Sequence, residues 1–320
     1  MSKKQNTASL SKQNNSFLGR VRKDFAKNKI LYLIALLPLA YYIIFHYVPM
    51  YGIVIGFKKY IPALGIVDSP WADNFGFEHF IRFFESKYFF RILGNTLRIS
   101  SMSLLFGFPA PILLALLINE FKNKYFVKTV QTATYLPHFI SLVVMCGIFK
   151  TFCGANGIIT QLVEKFTGDG TSILLKPEMF TGIYVGTNIW QEVGWGSIIY
   201  LSALSGIDQS LYEACKIDGG GRLRQLWHVT LPGILPTIII LLILRMGSLL
   251  SVGYEKIILL YNEFTYSTAD VISTYVYREG LINANFSYST AVGLFNSLVN
   301  ILFLCIANAI SRKVSETSLW

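Results

Sequence analysis

Glu213-Ala214-Cys215-Lys216-Ile217-Asp218-Gly219-Gly220-Gly221, followed by Val229-Thr230-Leu231-Pro232, is a polar island between two strongly apolar stretches. Asp208 and Ser210 are helix-start residues, so Leu211 to Ile217 reads as a short helix that the three glycines stop. Arg222 to Val229 reads as a second short helix, with Leu223, Leu226 and Trp227 on one face. Pro232 and Pro236 are expected to end it and to set the angle at which the next apolar run begins. The product is an elbow with an apolar knuckle and a polar rim, suited to a groove on another protein. A helix lying on lipid is the plainer alternative. A phosphate-binding loop is disfavoured, because no strand precedes the glycines and no Lys-Ser/Thr follows them.

On either side of the island the chain is apolar on every face, as in Leu31 to Ile44 and Ile238 to Leu244. Hydrophobic residues make up 53% and charged residues 14%, with a mean hydropathy of +0.48. Ordinary soluble domains carry about 25% charge. A bilayer core of roughly 30 Å takes about 20 apolar residues per helix. Six segments qualify, at approximately 30–56, 94–118, 130–152, 180–204, 237–260 and 286–310. The expectation is an all-α integral membrane protein with six transmembrane helices in one domain, residues 30–310. A β-barrel would alternate apolar and polar residues in segments of about ten. Pro109 and Pro111 are expected to kink the second span. The G-x-x-x-G matches at Gly52–Gly56 and Gly182–Gly186 permit close helix approach. The largest loop, Lys58 to about Leu93, mixes turn residues and aromatics and reads as a packed interfacial cap.

The net charge of +10 matters through its distribution. With the N-terminus inside, sixteen Lys/Arg fall on the inner side and eight on the outer. An excess of Lys/Arg marks the cytoplasm, so both termini are expected there, together with the elbow loop at residues 205–236. Residues 1–29 read as a basic cytoplasmic arm and residues 311–320 as a cytoplasmic tail. The run after Lys29 is too long for a signal-peptide core and lacks an A-x-A site, so an uncleaved helix is expected. Cys146, Cys153, Cys215 and Cys305 form no C-x-x-C, and the histidines do not cluster, so neither a disulfide framework nor a metal site is indicated. No catalytic constellation stands out, and a role in binding nucleic acid is not expected.

The elbow resembles the EAA loop of ABC importer permeases, whose common form is E-A-A-x-x-D-G-A followed at a fixed distance by I-x-L-P. Glu213, Ala214, Asp218, Gly219, Leu231 and Pro232 match it, while Cys215, Gly220 and Val229 are conservative departures. The resemblance extends over nearly the whole chain and narrows to the LplB-type permeases of carbohydrate ABC importers, with the MetI-like type I importer architecture. Its carrying stretches include Tyr47-Val48-Pro49-Met50-Tyr51-Gly52, Tyr135-Leu136-Pro137-His138-Phe139-Ile140-Ser141, Gly194-Trp195, Tyr254-Glu255-Lys256-Ile257 and Glu316-Thr317-Ser318-Leu319-Trp320. The resemblance implies an oligosaccharide importer of the bacterial cell membrane. It also implies a second related permease, two ATP-binding subunits and an extracytoplasmic lipid-anchored binding protein. No Walker A sequence occurs in this chain, so ATP and Mg are expected on the partner ATPases and no cofactor here.

Ionisable groups at mid-membrane are costly and are functional candidates by default. Glu192 and Arg245 both fall near middle depth at about 1.5 Å per residue, which allows an ion pair between them facing the bundle interior. Asn188, Trp190, Gln191 and Trp195 surround Glu192 with amides and indoles, the groups a sugar uses; fastening helices together is the bland alternative. Asn296 and Asn300 are one turn apart in the last span and could line the same path. A non-carbohydrate ABC permease and an ion-gradient-driven transporter are the rival readings. The second would be expected to show internal repeats and leaves the elbow unexplained.

Overall fold

The computed structural model describes residues 24–25, 27–315 and 317–320, so most of the basic arm expected over residues 1–29 lies outside the described residues. The chain divides into two units, residues 1–54 and 55–320. In the first, α1 (Lys29–Tyr42) runs on through a π turn, Ile43–Tyr47. Asn28 and Tyr32 both donate to the Asp24 carboxylate at its start, at 2.8 and 2.6 Å. Leu31, Leu33 and Ile34 are exposed on different faces, the pattern of a helix whose surroundings are themselves apolar.

The second unit contains α2 (Glu78–Glu85), α3 (Phe89–Met102), α4 (Pro109–Glu120), α5 (Lys124–Tyr135), α6 (Leu142–Cys153) and α7 (Ile158–Thr167). It continues with α8 (Phe180–Ser205), α9 (Gln209–Ile217), α10 (Arg222–Gln225) and α11 (Leu231–Met246). Last come α12 (Tyr254–Leu260), α13 (Ile272–Tyr277) and α14 (Phe286–Val314). Among the described residues the one strand pairing is an isolated bridge between Lys58 and Trp71, so the fold is all-α. Five helical stretches are long and apolar enough to cross a membrane: Lys29–Phe57, Phe89–Glu120, Leu142–Thr167, Arg222–Met246 and Phe286–Val314. α8 is 26 residues long but too polar to join them.

That polar helix is the centre of the unit, packed against α4, α5 and α11. Two glycines let it approach. A Cβ on Gly194 would overlap the Thr134 carbonyl and lie 2.8 Å from the Tyr135 nitrogen, and one on Gly196 would lie 3.1 Å from Pro111 Cγ. Below the crossing, Tyr200 and Leu204 bury against Ile112, Ala115 and Ile234. Gly182 and Gly186 have open space where a Cβ would be, so that G-x-x-x-G pair is not spent on packing within the chain.

Three sequence expectations need correction. The third span does not run unbroken over 130–152: α5 ends in a 3₁₀ turn, Leu136–Phe139, and Ile140 is extended before α6 starts at Leu142 with Ser141 as its N-cap. Leu136, before Pro137, stays in the right-handed helical region; the break is made at Ile140 and Ser141, both extended, and apolar composition alone does not reveal it. The fifth span does not reach 260 either, because α11 ends at Met246 and α12 is a separate helix. Nor does the elbow's second helix stop at Pro232; it continues into α11 as one stretch, Arg222–Met246, through a π turn at Leu226–Thr230. A π turn also precedes Pro109, at Ser103–Gly107. Proline lacks an N–H and crowds the carbonyl four residues back; the wider i→i+5 turn relieves both problems without ending the helix.

The loop over 58–93 is packed, as its aromatics suggested. The Lys58 ammonium donates to the Ile66 and Val67 carbonyls at 2.8 and 2.6 Å. α2 lies on α14, where Phe83, Tyr275 and Tyr288 are buried together. Nothing in the sequence announced Asp270, which is buried and held by Arg278 at 2.9 Å and Arg91 at 3.5 Å. A buried carboxylate requires such partners. At the C-terminus the tail folds back, with the Leu319 N–H donating to Asn308 Oδ1 at 2.8 Å and Ser311 to the Thr317 carbonyl at 2.6 Å.

Gly194→Ala should destabilise the purified chain by about 1–3 kcal/mol through overpacking. Gly182→Ala should be neutral or stabilising by up to about 1 kcal/mol, because alanine favours helix. Thermal unfolding in detergent reads both; equal transitions for the two variants would refute the close crossing.

Candidate functional site

The break between α5 and α6 leaves backbone groups without helical partners, and α8 supplies replacements. Gln191 Nε2 donates to the Ile140 carbonyl at 3.1 Å. At the next residue, the Glu192 carboxylate accepts from His138 Nδ1 at 3.0 Å. The imidazole also stacks on the Trp195 indole, with centroids 4.5 Å apart and planes 3° from parallel. Gln191, Glu192, Gly194 and Trp195 therefore all engage residues 134–140, and the broken span is clamped to the central helix.

Two cavities open along α8. One, of about 480 Å³, is lined by Ser100, Tyr184, Asn188, Glu192, Arg245 and Lys256 among others. The second, of about 580 Å³, is bounded by Gly107, Pro111, Trp195, Ile199, Tyr200 and Leu241. Both share Ser103, Asn188, Glu192, Arg245 and Ser248. The two chambers thus meet at a waist made entirely of polar side chains, within a bundle whose other contacts are mostly apolar.

The turn after α11 is part of this wall. Asn300 from α14 accepts from the Leu250 N–H at 2.8 Å and donates to Ser251 Oγ at 3.0 Å. This fixes Ser248, Ser251 and Gly253 along the first chamber. Lys256 is buried against α8, donating to the Tyr184 carbonyl at 3.2 Å with its ammonium 4.8 Å from the Tyr184 ring centroid. The ring face partly replaces lost hydration of the cation.

The elbow is the second candidate. Asp208 caps α9 by accepting from the Ser210 N–H at 2.9 Å, and that bond holds its carboxyl below the usual carboxylate range. Gly219 has φ +75°, which disfavours any side chain there, and a Cβ on Gly220 would lie 2.6 Å from the Cys215 carbonyl oxygen. Gln225 donates to the Gly220 carbonyl at 3.0 Å, and Tyr212 and Thr230 hydroxyls meet at 3.1 Å, so α9 and α10 are braced as one piece. Glu213, Ala214, Asp218 and Gly219 are exposed on it. Around them Leu211, Ile217, Leu223 and Trp227 are exposed too, Ile217 at 87%. Leu231 and Pro232 sit where the elbow passes into α11.

An exposed elbow and a polar path beside a broken helix are found together here on a chain whose residues 103–316 match the family model for a binding-protein-dependent transport system inner membrane component. The chain belongs to that family. This inner membrane component is a multi-pass membrane protein. It is 45% identical over 306 residues to Protein LplB of Bacillus subtilis (strain 168), covering 95% of this chain and 94% of that protein. It is 44% identical over 295 residues to the polygalacturonan/rhamnogalacturonan transport system permease protein YteP of the same organism, covering 92% and 91%. Among solved structures it superposes on a chain of the bacterial alginate ABC transporter in complex with alginate pentasaccharide-bound periplasmic protein. The TM-score is 0.84 at 44% identity, covering 94% of this chain and 100% of that one.

Of the path residues expected from sequence, this inner membrane component brings Asn188, Gln191, Glu192 and Arg245 to the first chamber. It does not bring Trp190 there; that indole packs edge-on against Phe149 at 5.4 Å. Asn296 lines a separate recess with Ser273, Tyr277 and Gly280. No Glu192–Arg245 ion pair forms among the described residues, since Glu192 is engaged by His138. Arg245 lies in the last turn of α11, not part-way along a span. His138, Ser103, Ser248 and Lys256 complete the site and were not singled out as path residues. Pro137 beside a histidine was the available signal for the first.

With Cys215 and Cys305 replaced, a cysteine at Asn188 or Ser248 should react with a water-soluble thiol reagent at least about tenfold faster than one at Trp190, which the fold turns away from the path. Labelling rates in sealed vesicles decide it. Comparable rates at all three positions would remove the water-accessible waist.

Proposed function

We propose that this chain is one of two permease subunits of an ATP-binding-cassette importer that takes an oligosaccharide from an extracytoplasmic binding protein and passes it across the cell membrane. The observation that carries this reading is the pair of chambers meeting at the polar waist of Ser103, Asn188, Glu192, Arg245 and Ser248. A wall of hydroxyls, an amide and charges suits a polyhydroxylated solute. The relatives named for polygalacturonan/rhamnogalacturonan and alginate transport favour a carbohydrate over other solutes. The full proposal has six spans, α8 being the polar sixth, with both termini and the elbow in the cytoplasm as the Lys/Arg bias favours.

In this scheme two partner ATPases bind ATP and Mg, and the elbow receives their motion. Glu213 makes polar contacts at the docking groove, and Ala214 permits close approach. Asp218 braces the bend, Gly219 supplies the left-handed residue, and Leu231-Pro232 passes the push into α11. Leu211, Ile217, Leu223 and Trp227 provide the apolar knuckle. Asn188, Gln191, Glu192 and Arg245 line or support the path, Trp190 takes a packing role, and Asn296 lies beside the path. A related second permease completes the pathway.

The test is ATP hydrolysis stimulated by the loaded binding protein, with all subunits reconstituted in liposomes. Stimulation by an oligosaccharide is expected. Glu213→Lys and Gly219→Pro should each reduce it at least about tenfold while the complex still assembles, proline being unable to adopt positive φ. Stimulation by no saccharide would defeat the carbohydrate reading, and full stimulation in both variants would defeat the coupling role.

A further inference from the structure

We infer that the cleft between α3 and α8 is a binding site for one phospholipid with an ammonium headgroup, phosphatidylethanolamine. This goes beyond the transport reading and rests on one clause of it, that α8 is a span. The cleft has a volume of about 470 Å³ and shares no lining residue with either chamber of the path. Gly182 and Gly186 form its floor, with open space where a Cβ would be. Met102 and Phe106 wall it and are themselves exposed. From Glu178 at its rim to Ile189 at its foot the chain advances about 16 Å, half of a hydrocarbon core of roughly 30 Å. The cleft therefore has the depth of one leaflet.

Its polar groups all sit at one end. Arg98 on α3 and Glu178, in the turn before α8, line the rim and are both exposed. Among the described residues neither makes a salt bridge; the Arg98 guanidinium donates one bond, to the Thr268 carbonyl at 3.2 Å. In the first turn of α8, Thr181 is only 9% exposed, yet its hydroxyl has no hydrogen-bond partner. A helical threonine often donates to the carbonyl four residues back, as Thr187 does to Ile183 at 2.7 Å and Thr96 to Ile92 at 2.6 Å. For Thr181 that carbonyl belongs to Pro177, and it already accepts from the Thr268 hydroxyl at 2.7 Å. A buried hydroxyl without a partner is costly, and this one lines the cleft. The order of groups is that of a phospholipid lying lengthwise: phosphate at Arg98, ammonium at Glu178, ester carbonyl at the Thr181 hydroxyl, acyl chain over Gly182 and Gly186. A guanidinium fork suits a phosphate, and an ammonium N–H suits a carboxylate. One cation and one anion at the rim favour a zwitterion over an anionic lipid, which has no cation to offer Glu178. Glycines at this spacing also suit a partner helix. The backbone carbonyls of a helix are bonded internally, however, and leave no acceptor for Thr181.

The experiment is a lipid titration of the assembled, delipidated transporter in detergent, read by native mass spectrometry. The probes are phosphatidylethanolamine and phosphatidylglycerol with identical acyl chains. At its tightest site the wild-type complex should bind the first at least about tenfold more tightly than the second. Glu178→Gln should bring the two affinities to within about twofold of each other. Gly186→Leu, which fills the floor, should weaken both at least about tenfold, with an unchanged labelling rate for a cysteine at Asn188 showing that the fold is kept. Equal affinities in the wild type, an undiminished preference in Glu178→Gln, or unaltered binding in a folded Gly186→Leu would each overturn the assignment. Separation of the two permeases by Gly186→Leu, with no lipid preference in the wild type, would give the cleft to a partner helix instead. The span is checked apart from the lipid: cysteines at Thr171 and Ser210, on either side of α8, should react from opposite sides of sealed vesicles. Reaction from the same side would defeat the span and the site with it, whereas loss of the site alone would leave the importer reading standing.

Discussion

A polypeptide inside a bilayer has to satisfy its own backbone polar groups, because no water is present to do so. The break between α5 and α6 is tolerable only because α8 reaches across to it. Gln191 replaces a helical donor for Ile140, and Glu192 and Trp195 hold the His138 ring. The close passage at Gly194 brings the two backbones near enough for these short reaches. The α8 side of the path follows from that clamp. It turns one face of α8 toward the break and leaves Asn188 and the unengaged side of Glu192 facing the chambers.

Two of the π turns, Ser103–Gly107 and Leu226–Thr230, are a second shared device. Each comes just before a proline, at Pro109 and at Pro232, and each lets a helix carry proline without stopping. For the second, this means the exposed elbow is continuous with a membrane helix. Tyr212, Gln225 and Thr230 tie the elbow's two arms together around the π turn, so it is braced where it is least regular.

Much of this was legible in the residues. The elbow pattern at 213–221 and the apolar runs required only composition and capping rules. The exact ends of spans were not legible, because runs such as 130–152 stay apolar through a turn whose freed Ile140 carbonyl is satisfied by a distant side chain, Gln191. Trp190 was misplaced by judging residue type without helical phase: at about 100° per residue it sits far around the helix from Asn188. The partner of Glu192 could not be chosen from depth alone, since His138 and Arg245 were both compatible. The buried Asp270 with Arg278 and Arg91 depends on long-range packing of the cap, which a single sequence does not reveal.

The helix Arg222–Met246 spans 25 residues, so it is about 37 Å long. One end carries Leu223 and Trp227 on the exposed elbow, and the other carries Arg245 at the waist. A rod of that length tilted by about 10° about one end moves the other by about 6 Å, close to one helical turn. Arg245, lining both chambers, and the surface proposed to meet the ATPase are therefore opposite ends of a single lever, and a small rotation at either end is a large displacement at the other.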